Sequence, residues 1–322
     1  MKHTLYFLIS VFIVACGGIS QGGRSQDEAA SAQLSQSDQQ IADAMAEEHG
    51  EEEPVATPAA TTLPAHPVIT ESIAYGELEG QNLRGYLSMP SGTTGPLPGL
   101  IVIHEWWGLN DNVKQAAERL AAEGYVTLAV DLYNGKVAEV PKEAMQLSQG
   151  LMKQPEPGEK NLVAAYEYLE QTVGSPRIGV IGWCAGGRWS LRTALLLPEQ
   201  IDASVIYYGN VTDDETQLAT LNMPILGLFG AKDPVVKLEN VRKFQAVMDR
   251  LNKPASIQVY SDANHGFANP SGQAYNALAA EDAWQRTVAF LQENLASEER
   301  CSVLPYSAAK ACYLNQWNDS KE

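Results

Sequence analysis

Cys184 sits in Gly182-Trp183-Cys184-Ala185-Gly186, followed by Gly187. An apolar run over 177–183 leads into it, and a helix-forming stretch over 188–197 leads out. Glycines two before and two after a nucleophilic residue type mark a sharp strand-to-helix turn, because neighbouring backbone must pass where a side chain would stand. The central side chain then projects from the top of a sheet at the positive end of the next helix, which favours an anion. For a cysteine that anion is a thiolate, the form that attacks a carbonyl carbon. A cysteine merely buried between strand and helix has no need of three flanking glycines. A thiol with a pKa near ~8.5 is mostly protonated at neutral pH, so it needs a base. His265, in Asn264-His265-Gly266-Phe267, is the candidate base and later activator of water. Asp233, in Gly230-Ala231-Lys232-Asp233, is the candidate that orients it, ahead of Asp262 and Asp214. His3, His49 and His66 precede the globular region, and His104 should point away from the face that carries its neighbour Glu105.

These residues are positioned by alternating elements. Two alternating segments, 69–75 and 83–89, read as an antiparallel hairpin or meander. Apolar runs at 100–104, 126–130, 178–182, 203–208, 225–229 and 256–260 read as buried parallel strands. Amphipathic helical stretches at 111–123, 159–171, 241–251 and 279–295 fall between or after them. Strands alternating with helices imply an α/β fold, a mostly parallel doubly wound sheet with helices on both faces. Ligands of such sheets bind beyond the carboxyl ends of the strands. Those ends carry Glu105-Trp106-Trp107, Cys184, Asp233 and His265.

The chain order nucleophile, acid, histidine is that of the α/β-hydrolase fold. Over residues 102–291 the chain resembles dienelactone hydrolases, through His104-Glu105-Trp106-Trp107-Gly108-Leu109-Asn110, Gly124-Tyr125, Val130-Asp131-Leu132-Tyr133, the elbow around Cys184, Tyr207-Tyr208-Gly209, and the segments holding Asp233 and His265. The resemblance implies a Cys184–His265–Asp233 triad, with Glu105 helping to hold and deprotonate the thiol as substrate arrives. The backbone N–H of Ala185, and by resemblance that of Trp106, would form the oxyanion hole. The family carries an arginine for a substrate carboxylate where this chain has Asn269, and Trp107 adds an apolar wall beside Trp106. An uncharged ester or lactone is therefore the expected substrate; an anionic one would need an arginine from elsewhere, such as Arg188 or Arg84.

The ends of the chain read differently. Residues 1–15 form a basic start and a short apolar segment, too short to span a bilayer and suited to an export signal. Ile13-Val14-Ala15-Cys16-Gly17 resembles the lipobox of bacterial lipoproteins, which implies cleavage before Cys16 and lipid on it. Gly17 rather than aspartate after that cysteine implies sorting to the periplasmic face of an outer membrane. An ordinary signal peptide or an uncleaved anchor is the alternative. Residues 16–67 read as a disordered acidic tether, poor in large apolar side chains. Residues 68–296 form the catalytic domain, and 297–322 a C-terminal extension. There Cys301 and Cys312 are either a local disulfide, which an exported compartment permits, or two free thiols. The net charge of −17 argues against nucleic-acid partners. No metal-ligand spacing is present and no cofactor is expected.

The sequence thus points to a membrane-tethered ester or lactone hydrolase that works through an acyl-enzyme. The alternatives are a catalytically idle relative serving as a surface binding module, which should lack a triad member, and a thioesterase or acyltransferase, which needs a different pocket.

Overall fold

The computed structural model describes residues 34–51, 61–93 and 95–295. Cys16, Cys301, Cys312 and the signal segment lie outside the described residues. Eight strands form one sheet in the order β1-β2-β4-β3-β5-β6-β7-β8. β1 (Val68–Leu78) and β2 (Gln81–Pro90) are an antiparallel hairpin. Its two-residue turn holds Glu79 and Gly80 at φ of 51° and 79°, the left-handed pair that matches the twist of hairpin strands. β2 then pairs antiparallel with β4 (Val126–Val130). From β4 onwards all pairing is parallel, through β3 (Gly99–Ile103), β5 (Ile178–Trp183), β6 (Ala203–Tyr207), β7 (Ile225–Gly230) and β8 (Ala255–Tyr260). Every residue of β3 to β7 is buried, which is why these strands read as unbroken apolar runs. β8, at the edge, is half-exposed.

The connections explain the layers. β3 feeds α2 (Asp111–Ala122) and then β4, moving towards β1. All later crossovers move the other way, through α3 (Pro141–Lys153), α4 (Glu156–Glu167), α5 (Ala185–Leu196), α6 (Glu215–Leu218) and α7 (Leu238–Arg250). Right-handed crossovers in opposite directions put their helices on opposite faces. α8 (Ala277–Leu295) closes the face of α2, where the Arg119 guanidinium lies 3.8 Å over the Trp284 ring. On the other face Arg192 of α5 pairs with Glu159 of α4 at 2.6 Å. The direction reverses between the neighbours β3 and β5, so a crevice opens beyond their carboxyl ends. Glu105, Trp106 and Cys184 stand at that crevice.

Three features depart from the sequence reading. α3 is an addition to the expected elements: it buries only Ala144, no side chain caps its N-terminus, and Gly150 lowers its helix propensity. The 159–171 helix is broken by a π-helical turn, Tyr168–Val173, that ends at Gly174 with φ 75°. The third departure matters most. Within the stretch read as a disordered tether, Gln36–His49 form a 14-residue helix, α1. Ser35 caps it by accepting the Asp38 N–H at 3.1 Å. Ala42, Met45 and His49 are buried against the catalytic domain. The tether description is corrected for those residues: the polar composition hid a short apolar stripe.

Candidate active site

The site starts from the turn at Cys184. Its backbone sits at φ 54°, ψ −115°, a conformation that costs a residue with a side chain on the order of 1–3 kcal/mol. The turn is held by the Cys184 N–H donating to the Tyr207 carbonyl (3.0 Å) and the Arg188 N–H donating to the Cys184 carbonyl (3.2 Å). A Cβ on Gly182 would collide with the backbone of Gly186, and one on Gly186 with the Ile103 carbonyl oxygen. The glycine spacing therefore lets α5 start directly against β5 and β3.

The thiol faces an imidazole. His265 Nε2 lies 3.1 Å from Cys184 Sγ, and His265 Nδ1 lies 2.8 Å from Asp233 Oδ2. The other Asp233 oxygen, Oδ1, accepts the N–H groups of Val235 (2.8 Å) and Val236 (2.7 Å). That carboxylate is buried and fully partnered, with one oxygen left to orient the imidazole. Asp262 is instead exposed and paired with Lys232 at 2.9 Å. Asp214 caps α6, accepting from Thr216 and Gln217. Neither reaches the imidazole, so Asp233 is the aspartate brought to His265.

Glu105 is buried beside the thiol. Its Oε1 accepts the Tyr208 hydroxyl at 3.2 Å and its Oε2 accepts the Asn269 amide at 2.6 Å. Asn269 Oδ1 in turn accepts from Asn112 (3.3 Å) and from the Ser271 N–H (2.9 Å). Asn269 thus lines the site and also positions Glu105. Burial, then the Glu105 and Asp233 charges, push the Cys184 thiol well above its ordinary pKa. Hydrogen bonds from the backbone N–H groups of Ala185 and Trp106 pull the other way. Burial and nearby charge thus favour the neutral thiol, while two amide donors are already aimed at it.

Trp106 is buried with its ring 5.0 Å from that of half-buried Trp107. Arg84 is exposed on β2. Arg188 pairs with Asp38 of α1 at 2.6 Å, so its charge is offset within the protein. His104 is buried, its Nε2 accepting the Leu132 N–H at 3.2 Å.

Sequence reasoning missed two contributors. Tyr208, at the end of β6, has φ 36°, donates to Glu105 and places its ring 5.3 Å from His265. Its position past a strand end was the available signal. His49, set aside as part of a solvated spacer, stands with its ring 5.4 Å from His265 and 6.0 Å from Trp106.

Comparison with known proteins shows the family of the chain. Residues 83–295 match the model of the dienelactone hydrolase family. The chain is 33% identical over 226 residues to the protein called usf of Aquifex pyrophilus, covering 68% of this chain and 96% of that one. It is 31% identical over 258 residues to a protein of Escherichia coli strain K12 provisionally named a carboxymethylenebutenolidase, covering 74% and 94%. A solved structure from Klebsiella pneumoniae, provisionally titled a dienelactone hydrolase, superposes with a TM-score of 0.64 at 27% identity, covering 71% of this chain and all of that one.

Proposed function

The chain belongs to the dienelactone hydrolase family and is an ester or lactone hydrolase; we propose that it works by acyl transfer to Cys184 and acts on uncharged substrates. The observation that carries this reading is the unbroken line Asp233–His265–Cys184 on a strained turn.

The chemistry follows from the contacts. With Nδ1–H donating to Asp233, the Nε2 lone pair of His265 faces the thiol and accepts its proton. The thiolate attacks the carbonyl carbon, forming a C–S bond as the carbonyl electrons move to oxygen. The Ala185 and Trp106 N–H groups, which point at the sulfur at rest, hold that oxyanion. Collapse breaks the ester C–O bond, and the imidazolium gives its proton to the leaving alkoxide. Water, deprotonated by the same nitrogen, then attacks the thioester and returns the acid, with the proton going back to sulfur. Glu105 keeps the thiol neutral until a substrate carbonyl fills the oxyanion hole.

A buried substrate carboxylate would need a cation to offset its desolvation. Asn269 stands at the expected arginine position with its amide bound to Glu105, and Arg188 is paired with Asp38. Both favour neutral esters or lactones. The apolar segment before Cys16 supports a lipid-anchored, exported enzyme held at a membrane.

The test is the mass of enzyme quenched during turnover of p-nitrophenyl butyrate. A butyryl increment on the Cys184 peptide is expected. Steady turnover without an adduct on that peptide at any quench time contradicts the acyl-enzyme.

A further inference from the structure

We propose that α1 builds a substrate subsite: with α3 and α5 it encloses an apolar chamber, opening on Cys184, that takes the uncharged alkyl arm of the ester. The inference rests on the hydrolase reading above and extends it to substrate class. The chamber, about 40 Å³ in volume, is walled by Ile41, Ala42 and Met45 of α1, Met145 and Met152 of α3, and Trp189 of α5. Cys184, Ala185 and His265 form its inner end, so a chain entering it begins at the reacting carbon. Three methionines line it, and their unbranched side chains adapt to flexible alkyl chains. Its one cation, Arg188, is already bound to Asp38.

A second, smaller cavity lies on the other side, lined by His49, Trp107, Asn269 and Gly272. Met45 and Trp106 line both cavities. Met45 therefore stands on the partition between the two arms of a bound ester. α1 is pinned at both ends, by the Asp38–Arg188 ion pair and by the Asn264 amide donating to Glu48. Asn264 precedes the catalytic histidine, so the helix is seated on the site itself. The family match starts at residue 83, and α1 lies outside it. Chain-length preference is thus a property this protein adds to the common fold.

The experiment uses the full-length protein and two variants, Met45→Ala, which opens the partition, and Met145→Trp, which fills the chamber. The first readout is the hexanoate-to-acetate ratio of kcat/KM for p-nitrophenyl esters. Met45→Ala should raise that ratio at least fivefold and Met145→Trp should lower it at least tenfold. The second readout needs no turnover: the rates at which methyl and hexyl methanethiosulfonate modify Cys184, followed by mass spectrometry of its peptide. There the Cys184 thiolate forms an S–S bond and methanesulfinate leaves. The hexyl-to-methyl ratio should move in the same directions. If wild type hydrolyses no ester but the thiosulfonate ratios shift, the subsite stands and the hydrolase reading fails. If esters are cleaved and neither ratio moves by more than twofold in either variant, the subsite is overturned.

Discussion

At Cys184 two opposed effects meet. Burial and the Glu105 and Asp233 charges disfavour the thiolate, while two backbone N–H groups and the helix N-terminus favour an anion. Removing one source of negative charge should lower the thiol's pKa. In Glu105→Gln, the pH profile of Cys184 alkylation by iodoacetamide is expected to move to lower pH, because the thiolate fraction at each pH rises. A shift to higher pH would show that Glu105 acts at rest as the thiol's base. The acid of the triad is equally open to test. Asp233→Asn should lower kcat by ~10³–10⁴-fold, since the imidazole loses its orienting acceptor. Asp262→Asn, which breaks only an exposed pair with Lys232, should stay within about twofold. A reversed order would misassign the acid.

At the scale of elements, the elbow works because β5 and α5 nearly touch. Gly186→Ala would drive a Cβ into the Ile103 carbonyl and is expected to cost about 2 kcal/mol or more, with loss of activity. Gly150→Ala, in the C-terminal part of α3 with open space around its Cβ, should instead be neutral or stabilise by roughly 0.5–1 kcal/mol. Urea denaturation of both variants checks the pair. Equal effects would mean that the turn is not as tightly packed as its geometry shows. The parallel strands were legible because strands buried on both faces are continuous in apolar residues, as in 100–104 and 178–182. α1 was not, because polar residues outnumber its apolar stripe. Yet signals existed: Ser35 and Asp38 have capping spacing, and Ile41, Met45 and His49 recur every four residues. What could not be read is that this short stripe finds its partner beside a histidine more than two hundred positions away.

For the molecule as a whole, the strand order brings Glu105, Cys184, Asp233 and His265 from four separate strand ends to one crevice. Their convergence was legible because each follows an apolar run at a strand end and carries reactive chemistry. Tyr208 and His49 were missed because their contribution depends on contacts with other site residues rather than on a motif. With a net charge of −17 the chain gains nothing from an anionic membrane surface, so the proposed membrane attachment rests on lipid at Cys16. Cys16→Ser should move the protein from the membrane fraction to the soluble one with its esterase activity retained. Continued sedimentation with membranes would point to an uncleaved anchor.

The most direct test of the central claim is kcat/KM of Cys184→Ala with p-nitrophenyl acetate, measured on protein whose circular dichroism matches wild type. The account predicts a fall of ~10³-fold or more, because Cys184 Sγ is the atom that meets both His265 Nε2 and the Ala185 and Trp106 N–H groups. Turnover near the wild-type rate would contradict it.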